Sequence, residues 1–336
     1  MKENHNSGSL PGRKTFLKVS GLTALAAGLS LSLKKQYLKE GLLNEYIETR
    51  MLMGTTVTLQ LTAAEYFKAK HMVKDAFLAM ESLVNILDHR QDSSALAVLN
   101  RQGKLDHPPG ELLQVIREAQ NLGELTGGAL DITIQPALEH FRREKTRYPH
   151  LREQVDYRSV DCRRESISFR KKGMAITLDA VGKGWIIDQI TDFLRNRGFT
   201  NTLVEAGGDL YLAGSKRDGS AWRVGLQHPR EGIAAVVEGM DQAIATSGDY
   251  HHAYDSQYIN HHIVDPRTGL SPRSLAGVSV FAPTACQADG LSTALMVMGL
   301  KEGLAFVEKL PRTEALMISK TLDLYPSSGL SKLLVN

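Results

Sequence analysis

Six short clusters rich in glycine and polar residues hold the side chains of this 336-residue chain that could do chemistry. Glycine lets the backbone approach a ligand closely, and the polar neighbours offer carboxylate, hydroxyl, imidazole and ammonium groups. Any binding or catalytic site is therefore expected among these clusters, which occupy residues 126–131, 178–184, 205–209, 246–250, 261–269 and 288–294.

The cluster at 178–184 has the clearest chemistry. A predicted strand ends there, glycines follow, and a helix begins near Lys183. Free amides at a helix N-terminus favour an anion, and a lysine adds a positive charge. The pattern predicts a phosphate cradle without a P-loop signature. Taken alone, a tight strand-to-helix turn with a surface lysine is the favoured interpretation.

The cluster at 288–294 offers oxygen ligands. Asp289 and Thr293 are four residues apart and share one face of a helix. Mg²⁺ prefers such hard oxygen ligands and completes its coordination with water and phosphate oxygens. An equally simple alternative is an aspartate that caps the helix and a threonine that packs in the core.

Four histidines lie close together at His251, His252, His261 and His262. Adjacent residues on a strand point to opposite faces, and the chain has no HExxH motif. A zinc site is therefore disfavoured, and one histidine acting as an acid–base group or ligand contact is the better interpretation.

The elements that must position these clusters alternate without a regular βαβ order, which favours an α+β fold with mixed, largely antiparallel sheets and flanking helices. Hydrophobic periodicity predicts helices over 65–87, 92–100 with Ser93 or Ser94 as cap, 110–126, 184–197, 286–299 and 301–310. It predicts strands over 50–62, 174–178, 202–206, 234–238, 242–246 and 275–282, and a hairpin of 208–213 with 221–227. The basic stretch from Pro136 to about residue 170 is expected to be a solvated insertion.

The N-terminal segment predicts export. Basic residues at 13–18 precede an uncharged stretch over 19–33, which is followed by Lys34 and Lys35. The stretch is shorter than the roughly 20 apolar residues of a spanning helix, and residues 12–18 resemble a twin-arginine signal whose second arginine is lysine. No clear cleavage site ends it, so cleavage and retention as a membrane anchor both remain open. A buried N-terminal helix is less favoured because the stretch has no polar face. We expect an export signal or anchor over 1–35 and a single domain over 45–325 on the periplasmic side of the membrane.

Composition narrows the function classes. Hydrophobic residues make up 42% of the chain and the net charge is +3, which suits a globular protein and gives no reason to propose a nucleic-acid partner. The two cysteines, Cys162 and Cys286, exclude a disulfide framework, a cysteine-based zinc site and an N-terminal lipid anchor. A single bridge between them remains open.

Taken together, the order and the residues of the clusters resemble those of the FAD:protein FMN transferase family, the ApbE type. The resemblance runs from about residue 53 to about residue 299. It implies an ApbE-like flavin transferase fold and a set of site residues. FAD would contact Met53, Ala129, Leu130, Asp131, Thr177, Lys183, Ser247, Gly248, His262 and Ile263. Mg²⁺ would be held by the Ala180 carbonyl, Asp289 and Thr293, and His262 and Asp289 would be catalytic.

The resemblance implies that a threonine or serine hydroxyl of a target protein attacks the FMN-side phosphorus of FAD, with AMP as leaving group. Two alternatives remain open: an FAD pyrophosphatase, in which water replaces the hydroxyl, and a periplasmic flavin-binding protein. One position departs from the family, because many members have a tyrosine where this chain has Arg90. An arginine could replace the stacking surface through its planar head, or alter the affinity for FAD.

Overall fold

The computed structural model describes residues 44–335, and its centre is one eight-stranded sheet. The strand order is β1-β2-β6-β7-β10-β11-β12-β13, and every neighbouring pair is antiparallel. This confirms the predicted α+β fold with antiparallel sheets. The eight strands are β1 (Asn44–Leu52), β2 (Thr55–Ala63), β6 (Thr202–Ala206), β7 (Asp209–Ala213), β10 (Gln242–Gly248), β11 (Leu275–Ala282), β12 (Glu314–Ser319) and β13 (Leu324–Pro326).

Two small sheets complete the β structure. One has the order β3-β5-β4, from β3 (Lys104–Asp106), β4 (Val160–Cys162) and β5 (Ser166–Phe169). The other is a pair, β8 (Trp222–Gln227) with β9 (Ile233–Gly239). The described helices are α1 (Tyr66–Leu87), α2 (Ala95–Gln102), α3 (Gly110–Leu125), α4 (Gln135–Glu144), α5 (Leu151–Gln154), α6 (Gly182–Arg195) and α7 (Ala285–Val307).

The central sheet is covered on both faces. Along β11, Val278 and Val280 enter the large core shared with α1, α6 and α7, whereas Phe281 enters the core shared with β8 and β9. All eight residues of β11 are consequently buried. A strand buried on both faces reads as a continuous apolar run rather than an alternating one, which is how residues 275–282 read in the sequence.

The predicted strand over 50–62 is wrong in its extent, because the chain turns within it. β1 and β2 form a hairpin whose register pairs Leu52 with Thr55. The two turn residues, Met53 and Gly54, have positive φ angles of 55° and 71°. Two-residue hairpin turns of this hand match the twist of the strands, and the apolar alternation continues on both sides of the turn.

Two other strand predictions are also wrong. Residues 208–213 and 221–227 do not form a hairpin together, since β7 lies between β6 and β10 while β8 pairs with β9. Residues 174–178 belong to no strand. Instead, the Asn100 side chain on α2 donates to the Ile176 carbonyl and accepts from the Ile176 amide, each at 2.8 Å. A side chain thus replaces the partner strand.

The basic stretch from Pro136 to residue 170 is not a solvated insertion. It contains α4, α5, β4 and β5, and it buries Phe141, Leu151 and Ile167. Its charged residues lie outside while these apolar residues anchor it to the rest of the protein.

The helix predictions hold closely. α1, α3 and α6 begin and end within two residues of the predicted bounds, and Ser94 caps α2 by accepting a bond from the Ala97 amide. The predicted helices over 286–299 and 301–310 form α7, which breaks at Gly299 (φ 76°).

Among the described helices α7 alone is long and apolar enough to span a membrane, but 56% of its most apolar stretch is buried inside the protein. Cys162 and Cys286 are free thiols. The predicted export segment lies outside the described residues, and the domain bounds stay a prediction.

The Asn100–Ile176 pair gives a stability test. Asn100→Ala leaves a buried backbone donor and acceptor without partners, which costs about 1–3 kcal/mol. We expect a lower free energy of unfolding in urea, whereas Gln102→Ala, at an exposed position on the same helix, stays within about 0.5 kcal/mol of the wild type. Equal stabilities for the two variants would show that the side chain does not replace a strand.

Candidate functional site

Lys183 lies in the first turn of α6 and faces two carboxylates. Its ammonium forms an ion pair with Asp209 and lies 3.7 Å from Asp289 Oδ1. Burial by itself would lower the pKa of Lys183, but the two carboxylates raise it above its ordinary value. The lysine is therefore a fixed positive charge at physiological pH.

Asp289 is held by the first turn of α6. The residue is 4% exposed, and its Oδ2 accepts a bond of 3.0 Å from the Gly184 amide. Burial raises the pKa of Asp289 to about 7, against the opposing effect of Lys183. In a regular helix the Gly184 amide would donate to the Ala180 carbonyl four residues earlier. Here the amide donates to Asp289 instead.

The starts of α6 and α7 are locked together. A Cβ added to Gly184 would collide with the backbone carbonyl of Ala285. Asp188 accepts from the Ala285 amide at 2.7 Å and from the Cys286 amide at 2.9 Å, so it satisfies two free amides at the start of α7. This contact between helices sets the distance from Lys183 to Asp289.

Hydroxyl groups line the same side of α7. The Ser247 hydroxyl, near the end of β10, lies 3.1 Å from Thr293 Oγ1 and 2.7 Å from Ser292 Oγ. Ser292 in turn donates to the Asp289 carbonyl at 2.8 Å. The structure thus brings Ser247 and Thr293 together, and Ser292 connects them to Asp289. Gly248, buried at the end of β10, faces the ring of Tyr250.

The residues fit a magnesium ion. A buried carboxylate, a hydroxyl and a backbone carbonyl are the ligand types that Mg²⁺ uses when water and phosphate supply the rest. No group of three or more His, Cys, Asp or Glu side chains between residues 44 and 335 could hold a metal by itself. The donor set of Ala180, Asp289 and Thr293 therefore suits a cation shared with a phosphate ligand better than a fully protein-bound metal.

His262 lies in a loop that folds back on itself. Its amide donates to the His252 carbonyl, and the two rings are 5.3 Å apart. Burial lowers the pKa of His262 to about 3, and the charges of neighbouring histidines and of Lys183 add to this effect. The ring is therefore neutral at physiological pH, and its buried Nδ1 has no partner among the described residues. A neutral imidazole can accept a proton or a hydrogen bond. Ile263 beside it is buried.

The clusters at 126–131 and 178–184 meet α7 at Gly290. A Cβ added to Gly290 would lie 3.3 Å from Leu130 Cδ2 and 3.2 Å from Val181 Cγ1. Thr177 joins the same region, because its amide donates to the Ile132 carbonyl at 2.8 Å and its hydroxyl accepts from the Asp179 amide. Ala129 is buried like Leu130. Three clusters that are distant in sequence are therefore contiguous in space.

Asp131 has a structural task as well. Its two carboxylate oxygens accept bonds from the Thr133 amide and hydroxyl and from the Tyr157 amide. Burial raises the pKa of Asp131, and these bonds oppose that effect. The carboxylate thus shapes the loop, and a contact of this residue with FAD stays a prediction.

Met53 lies in the β1–β2 turn, and its contact with FAD stays a prediction. This turn meets the cluster at 205–209, where the Gly207 amide donates to the Thr56 carbonyl and Gly207 packs against Thr55. The same cluster supplies Asp209, the partner of Lys183. Met53 itself packs against the large core.

Arg90, the departure from the family pattern, forms an ion pair. Its Nη2 lies 2.7 Å from Asp179 Oδ2, one residue before Ala180, and 63% of its side chain is exposed. The guanidinium thus stands at the rim of the site and neutralises an acidic group there.

Sequence reasoning missed Asp209 and Asp188. Asp209 belongs to a cluster that the glycine pattern identified, but nothing in the sequence pairs it with Lys183. Asp188 lies five residues after Lys183 on the same helix, and only the packing of α6 on α7 reveals that it caps the second helix. A third group, buried Asp249 between Arg230 and Lys320, ties β10 to two distant turns.

Comparisons with known proteins agree on one family. The model described as the ApbE family matches residues 53–317. An FAD:protein FMN transferase of Vibrio cholerae is 33% identical over 228 residues, which are 63% of this chain and 68% of that protein. An FAD:protein FMN transferase of Treponema pallidum is 28% identical over 323 residues, 85% of this chain and 88% of that protein.

Solved structures have the same fold. The flavin transferase ApbE from Vibrio cholerae superposes with a TM-score of 0.75 at 29% identity. The superposition covers 87% of this chain and 100% of that one. The ApbE protein from Thermotoga maritima superposes with a TM-score of 0.79 at 24% identity, again with 87% of this chain and all of that one covered. At the latter identity the likeness concerns the fold alone.

The contact between α6 and α7 gives a second stability test. Gly184→Ala places a methyl group against the Ala285 carbonyl, and such overpacking costs about 1–3 kcal/mol. Gly110→Ala is the matched control, because a Cβ there meets nothing within 4 Å and we expect no loss of stability. Urea unfolding of both variants measures the difference. A Gly184→Ala protein as stable as the control would mean that the helices can separate freely.

Proposed function

The chain belongs to the ApbE family and is an FAD:protein FMN transferase, and we propose that it uses Mg²⁺ to transfer FMN from FAD to a threonine or serine hydroxyl of another protein, releasing AMP. The observation that supports the proposal is the pairing of Lys183 with buried Asp289, together with a buried His262 whose pKa is lowered by burial and by the charges of neighbouring histidines and of Lys183. A fixed positive charge, a cation ligand and a proton acceptor are the groups that attack on a pyrophosphate requires.

Mg²⁺ would be held by the Ala180 carbonyl, Asp289 and Thr293, and would supply charge stabilisation at the pyrophosphate oxygens. The Lys183 ammonium, at the start of α6 and 3.7 Å from Asp289 Oδ1, would neutralise a further pyrophosphate oxygen. The bond from the Gly184 amide to Asp289 and the bond from the Ala285 amide to Asp188 hold Lys183 and Asp289 at a fixed distance. Rigid placement of charge before the reaction is the main source of catalysis in phosphoryl transfer.

The chemical step is a displacement at the FMN-side phosphorus. The hydroxyl oxygen of the target side chain forms a bond to that phosphorus, and the bond from phosphorus to the bridging oxygen breaks. The bridging oxygen leaves as part of AMP. His262 accepts the hydroxyl proton as the general base. The flavin end of FAD would lie along Met53, Ala129, Leu130, Asp131, Thr177, Ser247, Gly248 and Ile263.

The place of this activity is part of the proposal. The basic and apolar pattern of residues 13–35 supports export to the periplasmic side of the cytoplasmic membrane, with the segment cleaved or kept as an anchor. The resemblance of residues 12–18 to a twin-arginine signal supports that route. A reporter fused after residue 43 tests export, since retention in the cytoplasm would exclude it.

Transfer to a protein is tested by mass spectrometry. Wild-type enzyme with FAD, Mg²⁺ and a candidate flavoprotein domain should increase the acceptor mass by one covalent FMN, and chelation of Mg²⁺ should abolish the gain. Asp289→Ala should abolish it too, because the cation loses its charged ligand, whereas Asp192→Ala on the exposed side of α6 should retain activity. Free FMN and AMP without acceptor gain would favour a pyrophosphatase, and intact bound FAD would favour a flavin-binding protein.

The pKa values predict how activity depends on pH. The carboxyl of Asp289 with its pKa near 7 is protonated below that pH, so Mg²⁺ binding weakens up to about tenfold per pH unit as the solution becomes acidic. His262, with its pKa near 3, stays neutral through this range. When rates are measured from pH 5 to 8, the loss of rate at acidic pH should therefore disappear at saturating Mg²⁺. A rate that still falls with a midpoint near 6.5 at saturating Mg²⁺ would show that His262 titrates in its ordinary range.

A further inference from the structure

Five cations are concentrated between the end of α4 and the middle of α5. They form what we call the basic segment: Arg142, Arg143, Lys145, Arg147 and Arg152. The four arginines are exposed and Lys145 is half-buried. Over the part of the chain that the structure describes, none of the five has a carboxylate within 4 Å.

Two of the three carboxylates near the basic segment have other partners. Glu139 accepts from Gln135, and Glu153 pairs with His150. Glu144 is exposed and forms no ion pair among the described residues. A second basic stretch, over 163–172, is by contrast partly neutralised, because Arg163 pairs with Asp161 and Lys171 with Asp156. The basic segment therefore carries a net positive charge, because Glu144 is the one carboxylate residue among its five cations.

The basic segment is rigidly mounted beside the site. Phe141 and Leu151 are buried in a small core that includes Val264, two residues after His262. A Cβ on Gly269 would lie 3.3 Å from both Arg147 Cγ and Leu151 Cδ2. The Lys145 ammonium lies 4.0 Å from the centre of the Tyr254 ring. The segment thus touches both ends of the loop that carries His262.

The charge of the basic segment is not needed inside the site. Lys183 and the predicted cation serve the pyrophosphate there, and Lys183 already faces Asp209 and Asp289. A target protein must nevertheless bring its hydroxyl to His262 past the adjoining surface. Arginine side chains bind carboxylates in a two-pronged geometry, and a concentrated positive field attracts an acidic partner from solution.

We propose that the basic segment is the docking surface for an acidic stretch of the acceptor protein that flanks its target hydroxyl. The proposal rests on the transferase function, since it names the partner of that site. Negative charge is the one property of the acceptor stretch that the proposal specifies.

Peptide binding tests the proposal without requiring turnover. The probes are a short peptide with a central threonine among aspartates and glutamates, and its copy with asparagines and glutamines, each with a neutral fluorophore. Fluorescence anisotropy should show tighter binding of the acidic peptide, weakening with salt. Arg142→Glu, Arg143→Glu and Arg147→Glu combined should weaken it about tenfold or more.

The matched control changes the same number of charges elsewhere. Lys68→Glu, Lys70→Glu and Lys74→Glu alter exposed lysines near the start of α1, whereas Arg90 and the site lie beyond the other end of that helix. We expect this variant to bind the acidic peptide within about twofold of the wild type, the loss expected from screened long-range charge alone. An equal loss in both variants would overturn the proposal, because net charge and not the segment would then govern binding.

Transfer kinetics separate docking from chemistry. With the acidic peptide as acceptor, the arginine variant should raise KM about tenfold or more and keep kcat, and its affinity for FAD should equal that of the wild type. A fall in kcat alone would overturn docking. If neither peptide accepts FMN but the anisotropy difference holds, the docking proposal stands and the proposed function loses support. Equal binding of the acidic and neutral peptides, with loss of binding to phosphatidylglycerol vesicles in the arginine variant, would instead identify a membrane surface.

Discussion

The site depends on one close contact, where the backbone of Gly184 on α6 meets the backbone of Ala285 on α7. Only a residue without a side chain allows that approach. The contact lets the Gly184 amide reach Asp289, and lets Asp188 bond the first amides of α7. Gly290 on the same helix receives Leu130 and Val181. Each helix start thus binds a carboxylate, Asp289 at the first turn of α6 and Asp188 at the start of α7, where the helix dipole favours negative charge.

Charge balance explains why this site suits a cation and an anion together. Asp209 and Asp289 are both buried and face the single ammonium of Lys183, while Asp179 at the rim is matched by Arg90. Burying an unmatched carboxylate is costly, and the raised pKa of Asp289 expresses that cost. Under the proposed function, a divalent cation would remove that cost and make the local charge positive. A pyrophosphate would then meet positive charge from both the cation and Lys183.

Under the two proposals, residues inside the protein would bind FAD and residues on its surface would bind the protein acceptor. Inside, burial keeps His262 neutral and places hydroxyls of Ser247, Ser292 and Thr293 along α7. Outside, the basic segment is attached through Phe141 and Leu151 to the loop that carries His262. A small nucleotide needs the interior alone, whereas a protein acceptor must also meet the surface around it. The fold provides both because α4 and α5 pack directly against the loop at 250–269.

The amino-acid sequence by itself determined the helices, the chemistry of the clusters and the family. Helical periodicity, the Ser94 cap and glycine spacing are written in neighbouring residues, so they can be read without knowing what packs where. Tertiary structure alone decided the pairing. The β1–β2 hairpin, the partnership of β8 with β9 and the burial of Phe141 and Ile167 depend on contacts between distant residues, as do the bonds of Asn100 to Ile176. The same is true of Asp188 and Asp209: a carboxylate acquires its role from the amide or ammonium that folding brings to it, and local sequence carries no record of that partner.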